Sequence, residues 1–341
     1  MSQKYIKNMI FKNLIYCTCV CAFIISGCSS KKHFEPKIIS GKVNFSDKLS
    51  APIKSATREG AILKDNTLVS YTRGITPIIL ESNHKFLAED KNTYVLQKGC
   101  GEILIMESAH DFLQSIPFDK CALSADIKGN ELALVLIDNT IVYYDIAQKK
   151  ELFSQKLSPV LAINSYIASP QIGDKYVIFP DLEGKILVYD KAQNKIIKDI
   201  LIVSDKFFSN VIYMYAKDNY LLAATAKRVS AIIDDRSFKY DIDSRDVLFY
   251  DNKVYVLSIE GEILEFDHTL KLLRKVRLPF AVLSGIVIAD NTLYTLEKGG
   301  YLIALSFDDF APMVYKHNLS KKKSLFYNRN TIFYDKVYKR F

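Results

Sequence analysis

The sequence predicts an all-β fold, a β-propeller of eight blades or of seven, with its ring closed by a strand from the N-terminal end. A turn-centred phrase recurs about every 40 residues, each recurrence brackets short alternating apolar strands, and amphipathic helical periodicity is nearly absent beyond residue 36. The composition agrees. A chain that is 25% charged and 49% hydrophobic, with 13 Gly and 9 Pro, has too much apolar side chain to stay disordered and too few breakers to be a linker or collagen-like chain.

Residues 1–27 read as an export signal. Lys4, Lys7 and Lys12 precede an apolar run from Leu14 to Ile25, and no acid occurs before Glu35. Twelve residues are too few to cross a hydrocarbon core of about 30 Å, but they suit a signal h-region. The run ends Ile25-Ser26-Gly27-Cys28, which resembles a bacterial lipobox with Ile where Leu is usual. That resemblance implies lipidation of Cys28, cleavage before it, and a tether over residues 28–36. Several acyl chains, at about 0.8 kcal/mol per buried CH₂, anchor a protein without a spanning helix. Ser29 and Ser30 in place of Asp imply sorting to the outer membrane, facing the periplasm. Loss of three Lys and no acid lowers the net charge from +8 to +5, which is weak support for any nucleic-acid partner. The same cut removes Cys17, Cys19 and Cys21. Cys100 and Cys121 then remain, either as a disulfide in an oxidising envelope or as two separate buried thiols.

The propeller is expected over 37–341. Its turns are Asp65-Asn66, Asn92, Gly129-Asn130, Asp174-Lys175, Asp218-Asn219, Asn252, Asn291 and Asn330, each followed by an apolar strand. Asn and Asp tolerate positive φ, so such pairs between alternating runs signal hairpins. Anchors at 67, 93, 131, 175, 219, 253, 292 and 331 are spaced 26, 38, 44, 44, 34, 39 and 39. The short first interval leaves seven blades open as well as eight. Ten residues after Thr331 cannot complete a blade, so a strand around Lys37–Phe45 is expected to close the ring.

Two segments carry the repeat most fully: Glu183-Gly184-Lys185-Ile186-Leu187-Val188-Tyr189-Asp190 and Glu260-Gly261-Glu262-Ile263-Leu264-Glu265-Phe266-Asp267. They resemble the PQQ-like, or quinoprotein-like, propeller repeat. The family's Gly after the strand-ending Asp is Lys149 or Asn194 here, and its Trp is Phe153 or Lys198. A lone lipid-anchored propeller of this kind resembles the BamB-like lipoproteins of the outer-membrane β-barrel assembly machinery. That resemblance implies a non-catalytic scaffold whose partners are the assembly machinery and unfolded outer-membrane proteins, with no cofactor. An alternative is an envelope propeller that binds another protein or ligand, as an adhesin or sensor. Quinoprotein enzymes stack their cofactor on Trp, often beside adjacent bonded cysteines; this chain has neither a Trp nor an adjacent Cys pair in its mature part.

The remaining constellations read as structural. His33, His84, His110, His268 and His317 form no zinc-ligand spacing and are expected in loops. Asp241, Asp243 and Asp246 lack the Gly and terminal acid of a Ca²⁺ loop and are expected in a solvated loop. Lys321-Lys322-Lys323 is read as a solvated turn, and Phe207 and Phe208 as loop aromatics suited to anchoring a partner.

Overall fold

The computed structural model describes residues 32–107, 111–163, 166–203, 208–320 and 323–341. Contacts separate Met1–Phe34 from a compact unit, Glu35–Phe341. That unit holds eight sheets in chain order, each built outward from an inner strand. Blade 1 runs from Ile53–Ala56 to Gly74–Ile79, blade 2 from His84–Asp90 to Asp111–Pro117, and blade 3 from Ala122–Lys128 to Lys150–Lys156. Blade 4 runs from Gln171–Ile172 to Lys195–Leu201, blade 5 from Tyr213–Lys217 to Arg236–Asp241, and blade 6 from Ser244–Tyr250 to Leu272–Arg277. Blade 7 runs from Leu283–Ala289 to Pro312–His317. Blade 8 has Leu325–Tyr327, Thr331–Tyr334 and Val337–Arg340, completed from the N-terminal end by Asp47–Lys48.

Middle strands are buried on both faces because each blade is covered by two neighbours. Within Glu131–Leu136, Leu132, Leu134 and Leu136 pack with Val95 and Ile105 of blade 2, while Ala133 and Val135 pack with Val177 and Tyr189 of blade 4. One alternating strand thus feeds two cores, as a period of two requires. Phe153 stands where the resembled repeat has Trp, and its ring lies 4.6 Å from that of Tyr189 in the next blade. The strand-ending Asp of the repeat accepts the backbone N–H of a residue two or three further on: Asp145 from Gln148, Asp190 from Gln193, and Asp267 from Thr269, each at 2.8 Å. These Asx turns end in left-handed residues, Lys149 (φ 53°), Asn194 (φ 51°) and Leu270 (φ 60°), and the backbone at the first two explains the Gly that the resembled repeat has there. Asp251-Asn252 and Asp290-Asn291 each place two successive residues at positive φ, as type I′ hairpin turns demand.

Eight blades are present, and the short first interval has a simple cause. Asp65-Asn66 is the second turn of blade 1, not the first, so Thr67 opens that blade's third strand whereas Thr93 opens blade 2's second. Ring closure by an N-terminal strand also holds, with a shift of place. The closing strand is Asp47–Lys48, paired antiparallel with Val337 and Tyr338. The expected Lys37–Phe45 stretch instead sends Gly41–Val43 along the outside of blade 7 as a fifth, parallel strand. Phe45 separates the two functions: it is buried among Val287, Leu296 and Ile332, between blades 7 and 8.

Antiparallel order gives the ring two unlike ends. Turns between second and third strands emerge on the same end as the connections to the next blade; we term this the loop face. Backbone bonds join them there, from Ile137 N–H to the Cys121 carbonyl (2.9 Å), Ile259 to Asp243 (2.8 Å) and Lys298 to Val282 (3.0 Å). The remaining turns, two in each of blades 1 to 7 and one in blade 8, lie toward the opposite end, the turn face.

Candidate functional site

The loop face carries the longest connections and much of the exposed apolar surface. Leu161 is 81% exposed on the blade 3–4 connection, Phe208 52% on the blade 4–5 connection, and Phe280 52% on the blade 6–7 connection. Ile137 and Ile259 project from second turns on the same end. Phe208 and Phe280 also hold φ of 57° and 66°, a region that disfavours residues bearing a Cβ. Cys100 and Cys121 are joined by a disulfide 21 residues apart in sequence. Cys100 sits in the second turn of blade 2 and Cys121 just before blade 3, so the bond fastens a blade crossing on this face.

Behind the loop face, the centre of the ring is filled by polar groups. The tight first turn of blade 1 closes at Thr57–Gly60 and carries Arg58 and Glu59. Arg58 Nη2 donates to Asp246 Oδ1 of blade 6 at 2.7 Å, and its guanidinium lies 5.0 Å from the Tyr166 ring centroid and 5.6 Å from that of Tyr213. Ser169 Oγ, before blade 4, donates to Glu59 Oε1 at 2.8 Å. Blade 1 therefore reaches across the ring to the opposite side. A small cavity lined by Arg58, Glu59, Leu87, Leu123 and Ser169 remains beside this crossing.

Burial sets the electrostatics here. It pushes the Glu59 carboxyl upward, against the opposing hydrogen bond from Ser169 and the charge of Arg58. Asp126 on the inner strand of blade 3 is pushed up to about 7 by burial, although it accepts the Ile172 amide at 2.7 Å and the Ile127 amide at 2.9 Å; the charge of Glu59 adds to the rise. Burial also works against the Arg58 charge, but Asp246 outweighs it and the guanidinium is held above its ordinary value. This arrangement can hold a proton and an ion pair away from water.

Inner strands of blades 1, 2, 3, 6 and 7 are each interrupted by a β-bulge, near the loop-face end in blades 1, 3 and 6 and at mid-strand in blades 2 and 7. The extra residues are Lys54, Leu87, Leu123 and Arg245, and in blade 7 Gly285 and Ile286 together stand opposite the single Thr295. Gly285 has φ of 67°, and a Cβ there would stand 2.2 Å from the Tyr327 ring. That close approach requires glycine.

The sequence-predicted residues fall as follows. Cys28 and residues 1–31 lie outside the described residues, as do His110, Phe207, Lys321 and Lys322. His84 and His317 lie on strands rather than in loops, and His84 Nε2 is 3.6 Å from Glu81. Asp241 and Asp243 are exposed partners of Arg228 and Lys227. Asp246, expected in a solvated loop, is instead the inner-strand partner of Arg58, with only 15% of its side chain exposed. Among the described residues no group of three or more His, Cys, Asp or Glu is placed to hold a metal ion, and no helix is long and apolar enough to cross a membrane. Sequence reasoning missed Arg58, Glu59, Asp126 and Arg245, because their common signal is ring geometry and not spacing.

Fold and site together define an eight-bladed β-propeller with strand closure at its N-terminal end and exposed apolar side chains on the connections of its loop face. Within that class the chain belongs to the PgbB family. It is 35% identical to the plasminogen-binding protein PgbB of Helicobacter pylori strain J99, over 92% of this chain and 68% of the relative. It is 34% identical to the PgbB of strain 26695, over 94% of this chain and 69% of the relative. Among solved structures it is similar to BamB from Moraxella catarrhalis, with a TM-score of 0.66 at 15% identity over 86% of this chain and 98% of that one. It is also similar to the C-terminal WD40 domain of Sif2, with a TM-score of 0.62 at 13% identity over 88% and 99% of the two chains. No family model matches the sequence. The relatives correct one expectation: the curated homologues are PgbB proteins, and the likeness to BamB is one of fold.

Proposed function

We propose that this chain is a non-catalytic lipoprotein of the outer membrane, anchored through Cys28, that binds a protein partner on its loop face. The observation that carries the reading is the exposure of Leu161, Phe208 and Phe280 on loops of one end of the ring. Apolar side chains held in water by strained loops suit an interface core, which is enriched in aromatics and depleted of charge. The name of the relatives supports plasminogen as the partner. A second reading, support of outer-membrane barrel assembly from the periplasmic side, draws on the fold likeness to BamB.

Surface-immobilised plasminogen and the full chain provide the test. Leu161→Glu with Phe208→Glu is expected to weaken binding at least tenfold while leaving the thermal midpoint in place. Unchanged binding would remove the loop face from the proposal. Gentle detergent co-purification of the barrel-assembly machinery, with no measurable plasminogen binding, would favour the second reading.

A further inference from the structure

We infer that the loop-face mouth of the ring is a carboxylate socket centred on Arg245, which takes an acidic side chain of the docked protein; this rests on the loop face being the docking surface. Arg245 is the extra residue of the blade 6 bulge, between the Ser244–Ser258 and Asp246–Leu257 pairs. A bulge re-aims the side chain of its extra residue. The bulges differ in aim: Leu87 and Leu123 both line the small cavity beside Arg58 and Glu59, whereas Lys54 reaches sideways to donate to the Ser82 carbonyl. Arg245 is of the first kind: its charge is felt by Tyr166, which belongs to the blade 3–4 connection on another side of the ring and also faces Arg58.

The charges around it do not balance. Asp246 is engaged by Arg58 at 2.7 Å, and Glu59 is engaged by Ser169 and pushed by burial toward its neutral form. Arg245 Nε is buried with no acceptor among the described residues, and no ion pair there includes this guanidinium. A buried donor without an acceptor is unfavourable in a folded chain, and such groups in native structures call for an explanation. An acceptor supplied from outside is one. A guanidinium presents a planar fork that matches the two oxygens of a carboxylate. The flanking Tyr166 ring is partly exposed and offers an apolar wall to the methylenes of a Glu side chain.

The test reads the socket without any partner protein. The full chain, ¹⁵N-labelled at arginine, is titrated with a doubly blocked Glu-Glu dipeptide and with its Gln-Gln counterpart. The Arg245 Nε–H signal is assigned by its disappearance in Arg245→Lys. A saturable shift with the Glu probe is expected, at least tenfold weaker with the Gln probe and lost from all arginine signals in Arg245→Gln, whose thermal midpoint is first checked against the parent. No shift, equal shifts with both probes, or a stronger response to inorganic phosphate than to the Glu probe would each overturn the assignment. Failure here removes the socket alone, whereas unchanged partner binding by the Leu161 and Phe208 variants removes the docking reading.

Discussion

Both ends of the ring hold bulky hydrophobic residues in the left-handed region, with opposite results. On the turn face, Leu270 (φ 60°) and Phe310 (φ 55°) are only 6% and 7% exposed. Phe310 lies 4.5 Å beneath the Arg274 guanidinium, which also donates to the Phe307 carbonyl at 2.7 Å and pairs with the fully buried Glu265. Burial of a large side chain contributes about 1.5–3 kcal/mol, enough to offset the roughly 1–2 kcal/mol cost of the left-handed conformation. On the loop face, Phe208 has the same backbone conformation and half its surface in water. The strain there is not repaid by burial. The comparison teaches that a strained hydrophobic residue holds blades together at one end, whereas at the other its gain must come from outside the chain.

Phe310→Ala against Phe208→Ala tests this contrast most severely. Loss of the buried ring is expected to cost about 3–5 kcal/mol in urea unfolding, and loss of the exposed one less than about 0.5 kcal/mol. Equal costs would break the distinction between the faces.

The ring centre behind the loop face is expected to make stability fall as pH rises. The Asp126 carboxyl goes from an ordinary 3.8 to about 7 on folding, chiefly through burial, so the folded chain holds this proton longer than the unfolded one does. The contribution is complete below about 3.8 and lost by about 7, a change of up to about 4 kcal/mol. Asp126→Asn should flatten the stability curve across that window; an unaltered slope would place the titration elsewhere.

Opening the Cys100–Cys121 bond with Cys→Ala at both positions is expected to cost about 3 kcal/mol, given the loop it closes. A loss confined to the loop face, seen as faster amide exchange around the blade 2–3 crossing, would sharpen the view that this end needs a staple. The smallest effect is a gain. Phe208→Gly relieves the left-handed strain at little packing cost and should raise stability by up to about 1 kcal/mol. A loss there would mean that the exposed ring supports the fold.

Much of the ring was legible because hairpins are local. Asn and Asp at positive φ mark the turns, and strand-ending Asp marks the Asx turns, so repetition revealed the blades. Two errors arose where local signals are ambiguous. In blade 1 a second turn of the same chemistry stood in for the first. At the closure, Lys42-Val43-Asn44-Phe45 alternates as a strand should, but Phe45 is claimed by the core between blades 7 and 8. Phe208 could be found because an apolar residue beside Ser209 in a turn-rich stretch is out of place. The Arg58–Asp246 pair could not, since 188 residues separate its members and only ring geometry joins them. Arg245 depended on a register slip that no composition or spacing betrays.

Ring closure also has a kinetic and mechanical meaning. Asp47 meets Tyr338 across nearly the whole chain, through a ladder only two residues long. Contacts so distant in sequence form late, because loop closure must precede their reward. The seam is thus the last joint to set during folding. A pull on the chain before Gly41 loads first the parallel strand on blade 7 and then the Phe45 wedge, ahead of the two-residue clasp itself. Those two elements act as a strain relief, as a cable is tied down before it reaches its plug.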